Sequence, residues 1–140
     1  MNMIESGWYH DPAHSGSGFV IENTVGTGGV FAGAVGTWYT FNAKKEPMWL
    51  FLTPANASGY NLIINRITSS TPLQAGAIEV TPCGEMTLTP LDDGGVHVEY
   101  AVDYNVVHDN EPSPAPPDGR IHGSMNLIKT LERVYFQSTP

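Results

Sequence analysis

The sequence has 140 residues, of which 41% are hydrophobic and only 14% are charged, with 15 glycines and 11 prolines. This length fits one domain, residues 1–140, with a core of its own. The formal net charge is −8 and the six lysines and arginines are scattered, which argues against partners such as nucleic acid or an anionic membrane surface.

Cysteine usage and the N-terminal sequence indicate the compartment. Cys83 is the only cysteine, so an intrachain disulfide and a cysteine-based zinc site are excluded. The first residues show neither the basic region nor the apolar core of a signal peptide, and no apolar run approaches the ~20 residues that span a bilayer. We expect a soluble cytoplasmic protein, although a chain trimmed of its leader would look the same.

The pattern of short apolar segments and turn residues predicts an all-β fold. No window shows sustained helical periodicity, and Gly, Pro, Asn and Ser clusters separate the segments. The predicted strands lie at 7–10, where Asp11-Pro12 ends the first one, and at 18–22, 31–42, 48–53, 60–67, 77–81, 85–89, 96–104 and 121–127. Eight or nine strands joined by short turns favour an antiparallel meander that closes as a β-barrel, with a two-sheet β-sandwich as the alternative.

The clearest alternation in the chain follows the hairpin signal at 91–95, which is of the Asp-Gly type. From Val96 to Tyr104 the even positions are apolar and the odd positions, apart from Ala101, are polar, which predicts a strand with one buried face. The next stretch, 106–118, is rich in proline and is predicted to be a long loop.

Several spaced motifs together resemble a bacterial β-rich domain family that recurs in uncharacterised, often secreted, proteins. The residues that carry this resemblance are Gly7-Trp8-Tyr9, Pro12, Gly16-Ser17-Gly18-Phe19, Trp38-Tyr39-Thr40-Phe41, Pro47-Met48-Trp49, Lys129 and Arg133. The resemblance spans nearly the whole chain and implies a fold, since no activity is established for the family. It also implies that Lys129 and Arg133 are structural partners for carboxylates. Two features depart from it: the absence of a visible signal peptide and the proline-rich stretch at 106–118.

The hairpin at 31–53 is apolar on both faces and therefore needs two coverings. Pairing Phe41 with Met48 across the loop would place Trp38 opposite Phe51 and Thr40 opposite Trp49. A one-residue slip would break that grouping. The aromatic residues expected to line a ligand site are Trp8, Trp38, Tyr39, Trp49 and Phe51. The alternatives are that they are ordinary core residues or that they form an oligomer interface.

Two polar groupings contain the residue types of a metal or catalytic site. His97, Glu99 and Asp103 share a strand face that we expect His122 to approach, and such ligands suit zinc. The simpler interpretation is a solvated face. Ser15, His14 and Asp11 have the composition of a catalytic triad but lack the surroundings of a nucleophile elbow, so we expect no catalytic, metal or cofactor site.

Three hypotheses follow from these observations. The first is a non-catalytic β-barrel or sandwich that binds a small, partly apolar ligand beside the aromatic residues. The second is an interaction protein that forms a homo-oligomer through an apolar sheet face. The third is an enzyme that uses the histidines and carboxylates around residues 97–122.

Overall fold

The computed structural model describes residues 3–14, 16–56, 59–69, 78–108 and 116–130. Within these ranges the chain forms eight strands, a 3₁₀ turn at Thr27–Gly29 and one short helix. The strands are β1 Gly7–His10, β2 Gly18–Val25, β3 Phe31–Phe41, β4 Pro47–Pro54, β5 Asn61–Ser69, β6 Ile78–Pro90, β7 Val96–Asp103 and β8 Arg120–Lys129. The helix α1, Tyr104–His108, follows β7 directly.

Each strand pairs antiparallel with the next, and β8 pairs with β1, so the sheet closes into a barrel. The predicted all-β antiparallel meander is confirmed, and closure decides for the barrel over the sandwich. Short polar turns account for most of this consecutive pairing, because two antiparallel strands can be joined by a few residues whereas parallel strands need a long crossover. β7 and β8 are instead joined by residues 104–119, which include α1.

Alternate residues of the strands point into the barrel and form its core. Phe19 and Ile21 of β2, Leu50 and Leu52 of β4, and Val98 of β7 are almost completely shielded from solvent. The predicted apolar face of β7 is confirmed, since Val96, Val98 and Val102 are all buried. Tyr104 is also buried but begins α1 instead of ending the strand.

The region around Cys83 differs from the prediction of two strands separated by a turn. β6 runs without a break from Ile78 to Pro90. Ile64 of β5 faces Gly84, whereas Asn65 faces Pro82, so Cys83 is the extra residue of a β-bulge. Pro82 lacks an N–H and is tolerated in a strand where a bulge interrupts the regular ladder.

The loop predicted at 106–118 begins inside α1, whose last residue is His108. Residues 109–115, the predicted strand start at residue 77 and Arg133 lie outside the described residues. Lys129 does meet a carboxylate, because its Nζ lies 2.6 Å from Oε1 of Glu5.

None of the helices among the described residues has the length and apolar character that crossing a bilayer would require.

Candidate functional site

Two small cavities lie at the end of the barrel that carries α1, and we call this the α1 end. One has a volume of about 140 Å³ and the other about 120 Å³. Both are lined by Trp38, Thr40 and Tyr100. The first cavity also has polar walls from Asp11, His14, Ser17 and Ser124. The second has apolar walls, among them Leu50, Val102 and Val107. The α1 end therefore offers a polar chamber and an apolar chamber on either side of shared aromatic residues.

Trp38 is held in place on both sides of its indole ring. It is only 6% exposed. The ring of Phe19 stacks on it with centroids 5.2 Å apart, and Tyr100 meets it in an edge-on arrangement at 5.0 Å. Such aromatic pairs add to the free energy of burial and restrict the rings to one geometry. Trp38 is thus a rigid wall of both chambers.

Ser17 anchors the indole from the polar side. The Nε1–H of Trp38 donates to Ser17 Oγ at 3.3 Å, and Ser17 Oγ donates to the backbone oxygen of Tyr39 at 3.0 Å. The hydroxyl therefore has an assigned donor and an assigned acceptor. It positions Trp38 and is not placed as a nucleophile.

Asp11 and His14 form part of the wall of the polar chamber. His14 Nδ1 donates to Asp11 Oδ2 at 2.6 Å, and the Ala13 amide donates to Asp11 Oδ1 at 2.9 Å. The bond from His14, followed by that from Ala13, holds the pKa of the Asp11 carboxyl below its ordinary value and outweighs the opposing effect of burial. Asp11 is 7% exposed whereas the His14 side chain projects into solvent. The chamber is therefore bordered by a fixed negative charge.

Tyr100 supplies a neutral hydroxyl at the boundary of the two chambers. Burial raises the pKa of its phenol above the ordinary value, so the group keeps its proton across the physiological range. Sequence reasoning placed Tyr100 on the apolar face of β7 but did not single it out. The alternation of that strand was the signal that could have found it.

The predicted grouping of Trp38 with Trp49 and Phe51 is wrong by one residue of register. Tyr39 faces Trp49, and Trp38 faces Leu50. The reason lies in the loop at 42–46: Asn42 Oδ1 accepts hydrogen bonds from the amides of Lys44 and Glu46. This turn has five residues, so Phe41 pairs with Pro47 instead of Met48. Only Trp38 of the five candidate aromatic residues lines the chambers.

The other candidates lie on the outside of the barrel. Trp8 is 60% exposed and Trp49 is 64% exposed. Tyr39 lies between them, stacked on Trp8 with centroids 6.1 Å apart and edge-on to Trp49 at 4.8 Å. We call Trp8, Tyr39 and Trp49 the outer aromatic surface. Phe51 faces Thr37 and is half-buried on the same side of the sheet.

The histidines near residue 122 do not assemble as expected. His122 faces Ala101, and its Nε2 lies 2.5 Å from Asp118 Oδ2. Asp103 instead faces Arg120, whose Nε lies 3.4 Å from its Oδ1. Within the described ranges, no group of three His, Cys, Asp or Glu side chains is placed to hold a metal ion. Ser15 lies outside the described residues.

A larger depression, of about 320 Å³, lies at the opposite end of the barrel. Met3 to Glu5 and the turn after β6 form its walls. None of the aromatic candidates lines it, and its walls belong largely to an exposed turn. The α1 end is the better candidate because its walls are rigid and chemically divided.

A scan against protein-family models, a search of curated proteins and a search of solved structures each found no match to this chain. The resemblance to a secreted bacterial domain family therefore stays a prediction.

Proposed function

We propose that the protein is a non-catalytic binding protein that holds a small, partly apolar ligand at the α1 end of the barrel. The observation that carries this proposal is the pair of chambers that share Trp38, Thr40 and Tyr100. Ligand sites in proteins are mostly apolar and contain a few polar groups that fix orientation. The apolar part of the ligand would lie near Leu50 and Val107, and its polar part near Asp11 and Ser17.

The size and charge of the chambers limit the kind of ligand that can bind. Volumes of about 140 Å³ and 120 Å³ lie below the ~300 Å³ at which drug-sized pockets begin, so the ligand is small. The ionised Asp11 disfavours an anionic group beside it and favours a neutral or cationic one. A primary amine attached to a short apolar group fits both conditions.

The polar side chains around the chambers support recognition more than covalent chemistry. Ser17 Oγ already donates to Tyr39 and accepts from Trp38. Asp11 is engaged by His14 and by the Ala13 amide. Groups fixed in this way can orient a ligand without reorganisation, which lowers the cost of binding.

The test uses Trp38 as a reporter. A Trp8→Phe/Trp49→Phe double variant leaves Trp38 as the only tryptophan. Phenethylamine, p-cresol and cyclohexanol serve as probes, and we expect phenethylamine to change the emission of Trp38 with a saturable midpoint. Adding Thr40→Phe should abolish this change in emission, because the new ring would occupy space in both chambers. Thr37→Phe, on the opposite face of the same strand, is the matched control. A panel without any saturable response, or an equal response in the Thr40→Phe variant, would reject the proposal.

A homo-oligomer is the second candidate, and the outer aromatic surface favours it. Two tryptophans more than half exposed on one side of a barrel form the kind of apolar patch that proteins usually cover. Light scattering after size exclusion should then give a dimer mass, and Trp49→Lys should give a monomer. Glu99→Lys, on an exposed position of β7, is the control variant. A strict monomer at high concentration would remove this candidate.

The partners that we propose are thus a small ligand and a second copy of the chain. The cytoplasmic location expected from the sequence remains a prediction.

A further inference from the structure

The pairing between β8 and β1, which we call the seam, joins fewer residues than any other strand pairing in the barrel. β8 pairs with β7 over eight residues, from Arg120 to Leu127, but with β1 only at Ile128 and Lys129. One more backbone bond, from the amide of Thr130 to the oxygen of Trp8, extends this contact. Along residues 121–127 the side of β8 that faces away from β7 has no partner strand among the described residues.

The bond from Thr130 shows which backbone groups point into the seam. In an antiparallel strand, alternate residues direct both their N–H and their C=O to the same neighbour. Thr130 points toward β1. Every second residue before Thr130 therefore also directs its N–H and C=O toward the seam. Three of these residues lie past the end of β1: His122, Ser124 and Asn126. No hydrogen bond joins the backbone of these three residues to β1 or to the loop at 11–17 in the described part of the chain.

This edge also lacks the features that usually protect an exposed strand. Natural edge strands carry Lys, Pro or inward-pointing charges that block the addition of another chain. From Ile121 to Ile128 β8 contains no Lys, Pro, Arg, Asp or Glu. The only residue in that run that can become charged is His122.

The open edge forms one wall of the polar chamber. Ser124 and Met125 line it on the β8 side, and Asp11, His14 and Ser17 line it on the other. The edge is thus set beside a loop and is not a protruding rim. An extended chain is narrower than a folded barrel, so it would meet the loop at 11–17 less than the edge of a second barrel would.

We propose that the open edge of β8 binds an extended peptide segment of a partner protein, which adds a strand to the sheet. Backbone groups of His122, Ser124 and Asn126 pair with the backbone of the peptide, as in other complexes formed by strand addition. The added strand is antiparallel, like every other pairing in the barrel.

The faces of β8 fix the side-chain pattern of this peptide. Residues of the peptide that lie opposite Gly123 and Met125 point inward, because Met125 packs against the core. They are small and apolar. Residues opposite Ser124 point outward and are polar, and the ionised Asp11 at the other wall favours a peptide without acidic residues. The partner segment thus alternates small apolar with polar or basic residues.

This inference stands on the backbone of β8 and does not require the small-molecule function. A small molecule can fail to bind at the α1 end while the peptide binds, and the reverse also holds. The small-molecule probes and the peptide probe therefore test the two proposals separately.

The first experiment needs no ligand. Amide hydrogen exchange by NMR should show that the Ser124 amide exchanges rapidly in the free protein, whereas the Met125 amide, which points toward β7, is protected. Protection of Ser124 equal to that of Met125 in dilute protein would overturn the proposal, because the edge would already be covered. Protection that appears only as the protein is concentrated would overturn it in favour of edge pairing between copies.

The second experiment uses the capped peptide acetyl-Lys-Thr-Val-Thr-Val-Thr-Lys-amide as the probe. We expect it to protect the Ser124 amide and to shift the resonances of His122, Ser124 and Asn126. In antiparallel pairing the threonine amides face β8, so N-methylation of the threonines should weaken binding about tenfold or more. N-methylation of the valines is the matched control and should leave binding largely intact. Equal effects of the two modifications, or binding that leaves the Ser124 amide unprotected, would overturn the proposal.

Variants of the protein provide an independent arm. Ser124→Pro removes the N–H that points into the seam and spares the ladder to β7, so it should fold and lose the peptide. Ser124→Ala keeps that N–H and should bind like the wild type. Retained binding in a folded Ser124→Pro variant would overturn the proposal, and if that variant does not fold, the N-methylated peptides decide the outcome.

Discussion

The phenol of Tyr100 lies directly over the backbone of Gly123 on the neighbouring strand. The two residues face each other across β7 and β8, and a β-carbon at position 123 would overlap the hydroxyl oxygen and the ring of Tyr100. The absence of a side chain at position 123 therefore leaves room for the ring of Tyr100, which meets Trp38 edge-on. A glycine in a strand weakens it, but this one creates the boundary between the two chambers.

Gly123→Ala should destabilise the protein by about 1–3 kcal/mol, because the added methyl group forces Tyr100 out of its position. Thermal or denaturant unfolding measures the loss, and the emission of Trp38 reports the displaced ring. Tyr100→Leu removes the clash, so the double variant should be more stable than the sum of the two single losses predicts. Simple additivity would show that Gly123 does not act through Tyr100.

Asp11 makes stability depend on pH at the acidic end. Its hydrogen bond from His14 lowers the folded-state pKa below the ordinary value of 3.8. The unfolded chain therefore takes up the proton first as pH falls. The stabilisation is fully present above about pH 5 and is lost as pH falls through the folded-state pKa.

The measurement is the free energy of unfolding of the wild type and of Asp11→Asn between pH 2 and pH 6. The wild type should lose stability on acidification more steeply than Asp11→Asn, which keeps an acceptor for the Ala13 amide but carries no charge. His14→Gln removes the main cause of the shift and should give an intermediate slope. Parallel curves for all three proteins would contradict the role assigned to this pair.

Cys83 should be inert toward thiol reagents in the folded protein. It is 4% exposed, and burial, the largest cause, raises the pKa of its thiol to about 11. The reactive thiolate is thus scarce at pH 8, and its access is blocked. A colorimetric thiol assay should detect no reaction under native conditions and one thiol per chain in denaturant. Rapid labelling of the native protein would show that the bulge in β6 opens readily.

The strands that could be predicted from the sequence are those in which apolar and polar side chains alternate, because this pattern indicates the buried face without knowledge of the neighbouring strands. Val96, Val98 and Val102 alternate with polar residues, so both the strand and its buried face were predictable. β6 was not, because Pro82-Cys83-Gly84 has the composition of a turn. A bulge uses the same residue types, and only pairing with Asn65 distinguishes the two.

The site was less predictable because it depends on register and closure. A shift of one residue in the turn at 42–46 decides whether Trp49 lies beside Trp38 or outside the barrel. Asp11 and Tyr100 are far apart in the chain and line the same chamber only because the barrel closes. A single sequence does not show which strands close the barrel. Asn42, which sets the turn, belongs by contrast to a residue type that the sequence alone identifies as turn-forming.

Lys45 occupies a backbone conformation that a lysine adopts at a cost. It is the only non-glycine residue in the described ranges with a positive φ, at 65°. Its amide donates to the oxygen of Asn42, which fixes the turn between β3 and β4. Because glycine adopts this conformation without steric strain, Lys45→Gly should stabilise the protein by about 0.5–1 kcal/mol.

Lys44→Gly is the matched control for this prediction. Lys44 lies in the same turn without a positive φ, so glycine there relieves no backbone strain and gives the unfolded chain more freedom, which should destabilise the protein. The free energies of unfolding of both variants should therefore move in opposite directions from the wild type. A loss of stability in Lys45→Gly as large as that in Lys44→Gly would mean that the five-residue turn does not impose the left-handed conformation, and the register that separates Trp38 from Trp49 would need another cause.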